Sequence, residues 1–277
     1  MLRLVGVTKA DTGWVGVRPP LSAAYFDGWY AQMARFPAKD EIQQRHLGLP
    51  AHVPSTSSLT GTGIGEVCAA LRLAPGGTVL DLACGRGGYG LEIAARTGAR
   101  LIGVDFSAEA VRQASSLARR LGRRAEFVVG ELTATGLGSG SVDGVLCVDS
   151  IQFATPQAAA YAEIRRVLVP GGRVVLTGWE PVDRGDPRLV SRLQDVDMRA
   201  GLRSAGFDEV DVHERPDWRE TERQMWQEAA TVDPGDDPAL QSLHNEAVRV
   251  LDTFHLVRRV MATATAPEPT HDGIRPA

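Results

Sequence analysis

The segment TVLDLACGRGGYG, Thr78 to Gly90, constrains this chain more than any other. An apolar run of strand length ends in a glycine-rich turn, and a helical pattern begins at once. Gly85, Gly87 and Gly90 fit the pattern G-x-G-x-x-G. Glycines there let a ligand approach the backbone, and a helix start offers free N–H groups. The triple glycine alone does not choose the ligand, because NAD and FAD sites carry it too.

From Thr78 onward, strand-length apolar runs alternate with helical segments. Strands are predicted at Thr78–Ala83, Arg100–Asp105, Ala125–Gly130, Val142–Asp149 and Arg173–Trp179. Helices are predicted between them at Gly88–Thr97, Ala108–Leu121 and Ala158–Val167, with Ser107 placed to cap the second. This alternation predicts an α/β fold with a parallel sheet covered on both faces. The last third predicts a helix at Gln194–Ser204, a strand at Glu209–Arg215, helices at Thr221–Ala230 and Pro238–Phe254, and a closing strand at Val257–Ala264. Residues 1–20 read as a flexible extension and 21–75 as a helical lid. The lid's first helix carries Tyr25, Phe26, Trp29, Tyr30 and Met33; the stretch from His46 to Thr62 reads as loop, and a helix runs from Ile64 to Leu73. Residues 76–264 read as the ligand-binding domain, 216–255 as inserted helices that can cap a substrate, and 265–277 as a disordered tail.

The second constraint is Asp81, inside the strand and upstream of Gly85. A dinucleotide loop receives a pyrophosphate, which a carboxylate there would repel. A ligand with an ammonium and a sulfonium would welcome it. S-adenosylmethionine (SAM) has both. Asp105 ends the next strand in LIGVDFS, about 20 residues beyond the first glycines, where an acid can bind both ribose hydroxyls. That feature suits SAM and NAD alike. Glu131, in VVGELTA after the third strand, can accept a hydrogen bond from an adenine amino group.

Composition closes off other classes. With 43% hydrophobic and 23% charged residues and a net charge of −4, the chain reads as an ordinary globular protein with no pull toward nucleic acid or anionic membrane. Arg119, Arg120, Arg123 and Arg124 read as a solvated helix end. Cys68, Cys84 and Cys147 form no CxxC pair, so neither a disulfide framework nor structural zinc is expected, and a cytoplasmic setting fits. No signal peptide or membrane span is read. The acidic DPGDDP reads as a turn, and no metal site is expected.

The motifs VLDLACGRGGYG, GVDFS, GELTATGLGSGSVDGVLCVDSIQF and RVLVPGGRVVLTGWE, over roughly 65–180, resemble the class I SAM-dependent methyltransferases, nearest the small-molecule branch of bacterial specialised metabolism. The resemblance implies a Rossmann-like, seven-stranded, mostly parallel sheet with an antiparallel last strand. It implies that Asp81, Gly85 and Gly87 face the amino acid part of SAM and that Asp105 holds the ribose, with Ala83 and Phe106 also among the cofactor-binding residues. Glu131 and Leu132 would flank adenine, and Asp149 and Ser150 would lie under the methionine part near the methyl group. Many relatives carry Asp in place of Glu131.

Methyl transfer from a sulfonium is an in-line displacement, so alignment and exclusion of water do most of the work. A hydroxyl or ammonium acceptor also needs a base. Many relatives carry His soon after the fourth strand; here Gln152 stands there, and Gln cannot act as a base. The candidates for catalysis are His46, Asp149, Gln152 and Glu180. Those for substrate contact are Tyr25, Trp29, Tyr30, Gln152 and Trp179, with Arg86 able to reach an anionic substrate. The expected function is methyl transfer to O, N or C of a small apolar or aromatic metabolite, with S-adenosylhomocysteine (SAH) as product, by a monomer or homodimer. Two alternatives stand: a SAM-binding protein that transfers no methyl, such as a cyclase, and an NAD(P)-dependent oxidoreductase.

Overall fold

Five consecutive buried residues, Thr78–Leu82, form strand β1 of the computed structural model, which describes residues 21–268. A strand buried on both faces belongs inside a parallel sheet. β1 is flanked by β2 (Arg100–Asp105) and β4 (Val142–Val148), both parallel to it. β3 (Ala125–Val129) pairs parallel outside β2, and β5 (Leu168–Pro181) pairs parallel outside β4. β7 (Val257–Thr265) enters antiparallel between β5 and β6 (Asp208–Glu214). The seven-stranded order is β3-β2-β1-β4-β5-β7-β6, the mostly parallel sheet with one antiparallel strand that was expected.

Side chains alternate across these strands with period two. Val79, Leu146 and Val175 enter one hydrophobic cluster. Leu80, Val145, Val174 and Leu176 enter the other. The first cluster is shared with α3 (Gly61–Leu71) and α4 (Gly88–Thr97). The second is shared with α6 (Gln157–Val167) and α8 (Met198–Ser204). α5 (Ala108–Arg120) follows β2, and the Ser107 hydroxyl accepts the Ala110 N–H at 3.1 Å, the cap expected there.

Several boundaries differ from the sequence reading. α1 (Ala23–Met33) is the aromatic helix, but a second helix, α2 (Ala38–Leu47), follows it. His46 lies in the last turn of α2 and not in a loop. The helix expected at Gln194–Ser204 is two pieces, α7 (Ser191–Gln194) and α8, because the Asp197 carboxylate accepts the Ala200 N–H at 2.7 Å and starts a new helix. α9 (Pro216–Thr231) begins earlier than expected, with proline in its first turn, and α10 (Pro238–Thr253) follows. β7 runs through Thr265, and Ala266 is buried against Gly172, so these two residues belong to the sheet and not to a tail. The extension expected at 1–20 and the tail from 269 onward lie outside the described residues. Among the described residues, no helix is long and apolar enough to cross a membrane.

α8 crosses α6 at Gly201, where a Cβ would stand 2.2 Å from the buried Tyr161 ring. Gly201→Ala is therefore expected to lower stability by roughly 1–3 kcal/mol through overpacking, read as a lower denaturant midpoint with an unchanged slope.

Candidate cofactor and substrate site

The loop after β1 takes conformations that favour glycine. Gly85 has φ +51 and Gly87 φ +78, and Ala83 joins them at φ 61. At Gly87 a Cβ would meet Ala114 at 2.9 Å and the Phe127 ring at 3.1 Å, so any side chain there must displace the packing of α5 and β3. At the end of β2, Asp105 is buried and tied to this loop. Its Oδ2 accepts the Gly85 N–H at 2.8 Å and its Oδ1 the Ser107 N–H at 2.9 Å. Burial raises its pKa, and these amides oppose the rise. Asp81 is buried on the neighbouring strand, and its Oδ2 has no hydrogen-bond partner among the described residues. Burial, then the nearby Asp105, push its pKa up to about 7, opposed by the Gly90 amide. A buried carboxylate oxygen without a donor is costly, and a cationic donor would remove that cost.

α1 covers this loop. Tyr30 is buried, its hydroxyl 3.0 Å from where a Cβ on Gly85 would stand, with the Thr56 hydroxyl at 3.2 Å from the same point. Asp27 pins the helix: it accepts the Ser107 hydroxyl at 2.5 Å and the Glu109 N–H at 3.0 Å. Phe26 packs against Phe106 (5.2 Å between centroids) and edge-on to Phe153 (6.1 Å). Trp29 is half-buried beside Tyr30, whereas Tyr25 is exposed and packs edge-on to Phe26.

At the end of β4 the acids are already engaged. Asp149, at φ 54, accepts the Ser58 N–H at 3.0 Å and the Thr177 hydroxyl at 2.7 Å, and it pairs with the fully buried Arg259 of β7 at 2.6 Å. Arg259 also lies 3.8 Å from Glu222 of α9 and over the Trp179 ring at 4.4 Å. Glu222 accepts the indole N–H groups of Trp179 at 3.1 Å and Trp226 at 3.0 Å. Glu180 accepts the Met198 N–H at 2.8 Å and pairs with Arg258 at 2.9 Å. The Gln152 amide donates to the Asp149 carbonyl at 2.7 Å, while its buried Oε1 has no partner among the described residues. The Ser150 hydroxyl donates to the Val148 carbonyl at 2.8 Å. His46, partly buried, pairs with Glu228 of α9 at 2.5 Å and so joins α2 to α9. Beyond β3, Glu131 is exposed and its backbone bridges to Ala134, while Leu132 packs into the second hydrophobic cluster.

The structure thus gathers Asp81, Gly85, Gly87, Asp105, Phe106 and Tyr30 at the strand ends around one loop. It holds Asp149, Trp179, Glu180 and His46 in ion pairs and hydrogen bonds, and it leaves Tyr25 toward the surface.

Residues 79–172 match a protein-family model described as a methyltransferase domain. The chain is 31% identical over 137 residues to the botryococcene C-methyltransferase of Botryococcus braunii, covering 48% of this chain and 36% of that protein. It is 34% identical over 111 residues to a sterol 24-C-methyltransferase of Gibberella zeae, covering 39% of this chain and 29% of that protein. The matched region thus spans about a third of these relatives' length. Among solved structures, the (4+2)-cyclase SpnF superposes with a TM-score of 0.71 at 22% identity, covering 89% of this chain and 97% of that one. A Haemonchus contortus phosphoethanolamine N-methyltransferase superposes at 0.69 and 17% identity, covering 87% and 60%. Residues 79–172 are thus a methyltransferase domain, and the solved structures share the fold of the chain. The loop after β1 carries the first of the motifs on which the resemblance rested, and the seven-stranded sheet with its antiparallel last strand is what that resemblance implied.

Four residues near the site, all outside the matched methyltransferase domain, escaped the sequence reading: Asp27, Lys39, Glu222 and Arg259. Only Arg259 left a usable signal. Arg258 and Arg259 are adjacent in an apolar strand, so one guanidinium must point to each face of the sheet. On an inner strand, at least one of them must then be buried and paired.

Proposed function

We propose that this protein transfers the methyl group of SAM to a small, largely apolar metabolite. The observation that carries the reading is the buried, unpartnered Asp81 oxygen beside the glycine loop. That atom fits the ammonium of a bound amino acid better than any phosphate. In this reading Asp81 holds the ammonium, the glycine loop lies along the methionine part, and Asp105 takes the ribose hydroxyls. Glu131 reaches the adenine amino group and Leu132 supplies an apolar wall. Bound SAM supplies the activated methyl group. The protein's part is to align the acceptor and keep water out. Phe26, Trp29 and Tyr30 of α1, with Phe106 and Phe153, form the apolar cover for that task. Asp149 acts by position: its ion pair with Arg259 fixes the end of β4 beneath the site. The sequence relatives are named for botryococcene and for sterols, and as C-methyltransferases, which supports an apolar acceptor and favours carbon as the methylated atom.

The test is incubation with methyl-labelled SAM and a panel of isoprenoid and aromatic acceptors. The reading expects acceptor-dependent formation of SAH and a labelled product. A second reading has one observation in its favour: the acids at the ends of β4 and β5 are engaged, and Gln152 stands where a base would. In that reading SAM is bound without transfer, and the pocket promotes a reaction such as cyclisation. Tight SAM binding with no SAH from any acceptor would favour it.

A further inference from the structure

Arg86 sits inside the glycine loop, between Gly85 and Gly87, yet its side chain is only 6% exposed. It leaves the loop toward α2. One terminal nitrogen pairs with Asp40 and lies 3.5 Å from the Ser55 carbonyl, while its buried Nε meets no partner among the described residues. Lys39, next to Asp40 on α2, is 3% exposed. Its ammonium donates to the Gln43 side chain at 3.2 Å and lies 5.1 Å from the centre of the Trp29 ring. Among the described residues, no carboxylate pairs with it within ion-pair distance. Two cations are therefore buried at the loop with one paired acid between them. Glu246 of α10 acts on Lys39 only from farther away.

Burying a charge without a partner is costly, and a fold keeps such a charge where something else offsets it. The Lys39 ammonium registers that cost: burial is the largest cause pushing its pKa down to about 8, with Arg86 adding to it and Glu246 and Asp40 opposing. Lys39 lies over Trp29 of α1, and Arg86 pairs with Asp40, the next residue of α2, close enough to act on the Lys39 charge. A planar guanidinium with a free N–H and a point-charge ammonium together suit a carboxylate or a phosphate.

We propose that Arg86 and Lys39 form a subsite for a carboxylate or phosphate carried by the methyl acceptor, so that the acceptor is an apolar body with an acidic end. This assignment rests on the methyl-transfer reading above. The cofactor's own carboxylate is the other source of the same chemistry. That carboxylate shares a carbon with the ammonium assigned to Asp81, so a cation holding it would act on Asp81. The titrations below separate the two sources.

The experiment is calorimetric titration of inorganic phosphate into the protein, free and saturated with SAH, for the wild type, Arg86→Met, Lys39→Met and the charge-conserving Arg86→Lys. Each variant is checked by circular dichroism and Tm, and Lys39→Met, outside the loop, carries the test if Arg86→Met fails to fold. The subsite predicts saturable phosphate binding to the wild type. Each Met variant should weaken it at least tenfold and Arg86→Lys should retain it within a few-fold, while the SAH affinity of Lys39→Met, outside the cofactor loop, stays within twofold of the wild type. Absence of saturable phosphate binding in both states, or equal binding by the Met variants, overturns the proposal. If the Met variants weaken SAH but leave decarboxylated SAM unaffected, the cations serve the cofactor and the acceptor assignment is overturned. Failure of SAH to bind the wild type counts against the methyl-transfer reading; phosphate binding to the free protein then decides the subsite by itself.

Discussion

Arg259→Met is expected to lower the unfolding free energy by about 3–5 kcal/mol, the largest single effect on stability that the site offers. The substitution keeps most of the side-chain volume but removes the counter-charge of two buried acids, Asp149 and Glu222. In a domain of this size that corresponds to a fall in Tm of roughly 10 °C. The loss should depend on pH. Burial raises the Glu222 pKa above its ordinary value, and Arg259 opposes that rise. A carboxyl whose folded pKa is raised contributes its stability below the ordinary carboxylate range and loses it as pH rises. Without Arg259 the rise is larger, so Arg259→Met should be more damaging at pH 8 than at pH 5. Asp149→Asn placed on top of Arg259→Met should recover part of the loss, because it removes one orphaned charge. Denaturant melts of the wild type and the two variants at both pH values check this. Equal stability of wild type and Arg259→Met at pH 8 would mean that the buried pair does not hold the end of β4.

This network also marks how far the sequence could be read. The sheet was legible because its strands are continuous apolar runs broken by glycine turns, and because Ser107 caps the helix after β2. Asp81 and Asp105 were legible because they stand at fixed distances from the glycines. The ion pair of Asp149 with Arg259 joins residues far apart in the chain, and no local pattern links them. α2 was missed for a different reason. Its sequence, AKDEIQQRHL, buries Lys39 and Gln43 beside Ile42 and Leu47, so it shows no apolar stripe of helical period. His46 was read as a loop residue for the same reason. Polar side chains buried by tertiary contacts escape pattern reading, and in this chain they lie next to the site.

The second large effect concerns Asp81. Its carboxyl is pushed up to about 7, mainly by burial. The empty protein therefore favours the neutral form and loses stability as pH rises from the ordinary carboxylate range toward 7. A bound cation favours the charged form, so SAM binding should release a proton below pH 7. Affinity for SAM is then expected to rise about tenfold per pH unit between pH 5 and 7, the limit set by linkage to a single group. Asp81→Asn should remove that dependence. It should also weaken SAM by about 10- to 100-fold at neutral pH, the worth of roughly 1.5–3 kcal/mol for a hydrogen bond to a charged group.

The measurement that tests the central claim most directly is calorimetric titration of the wild type and Asp81→Asn with SAM, SAH and NADH at pH 7.5. The account predicts binding of SAM and SAH, no binding of NADH, and a clear weakening of SAM in the variant. Binding of NADH, or a well-folded wild type that binds neither adenosyl ligand, would contradict it.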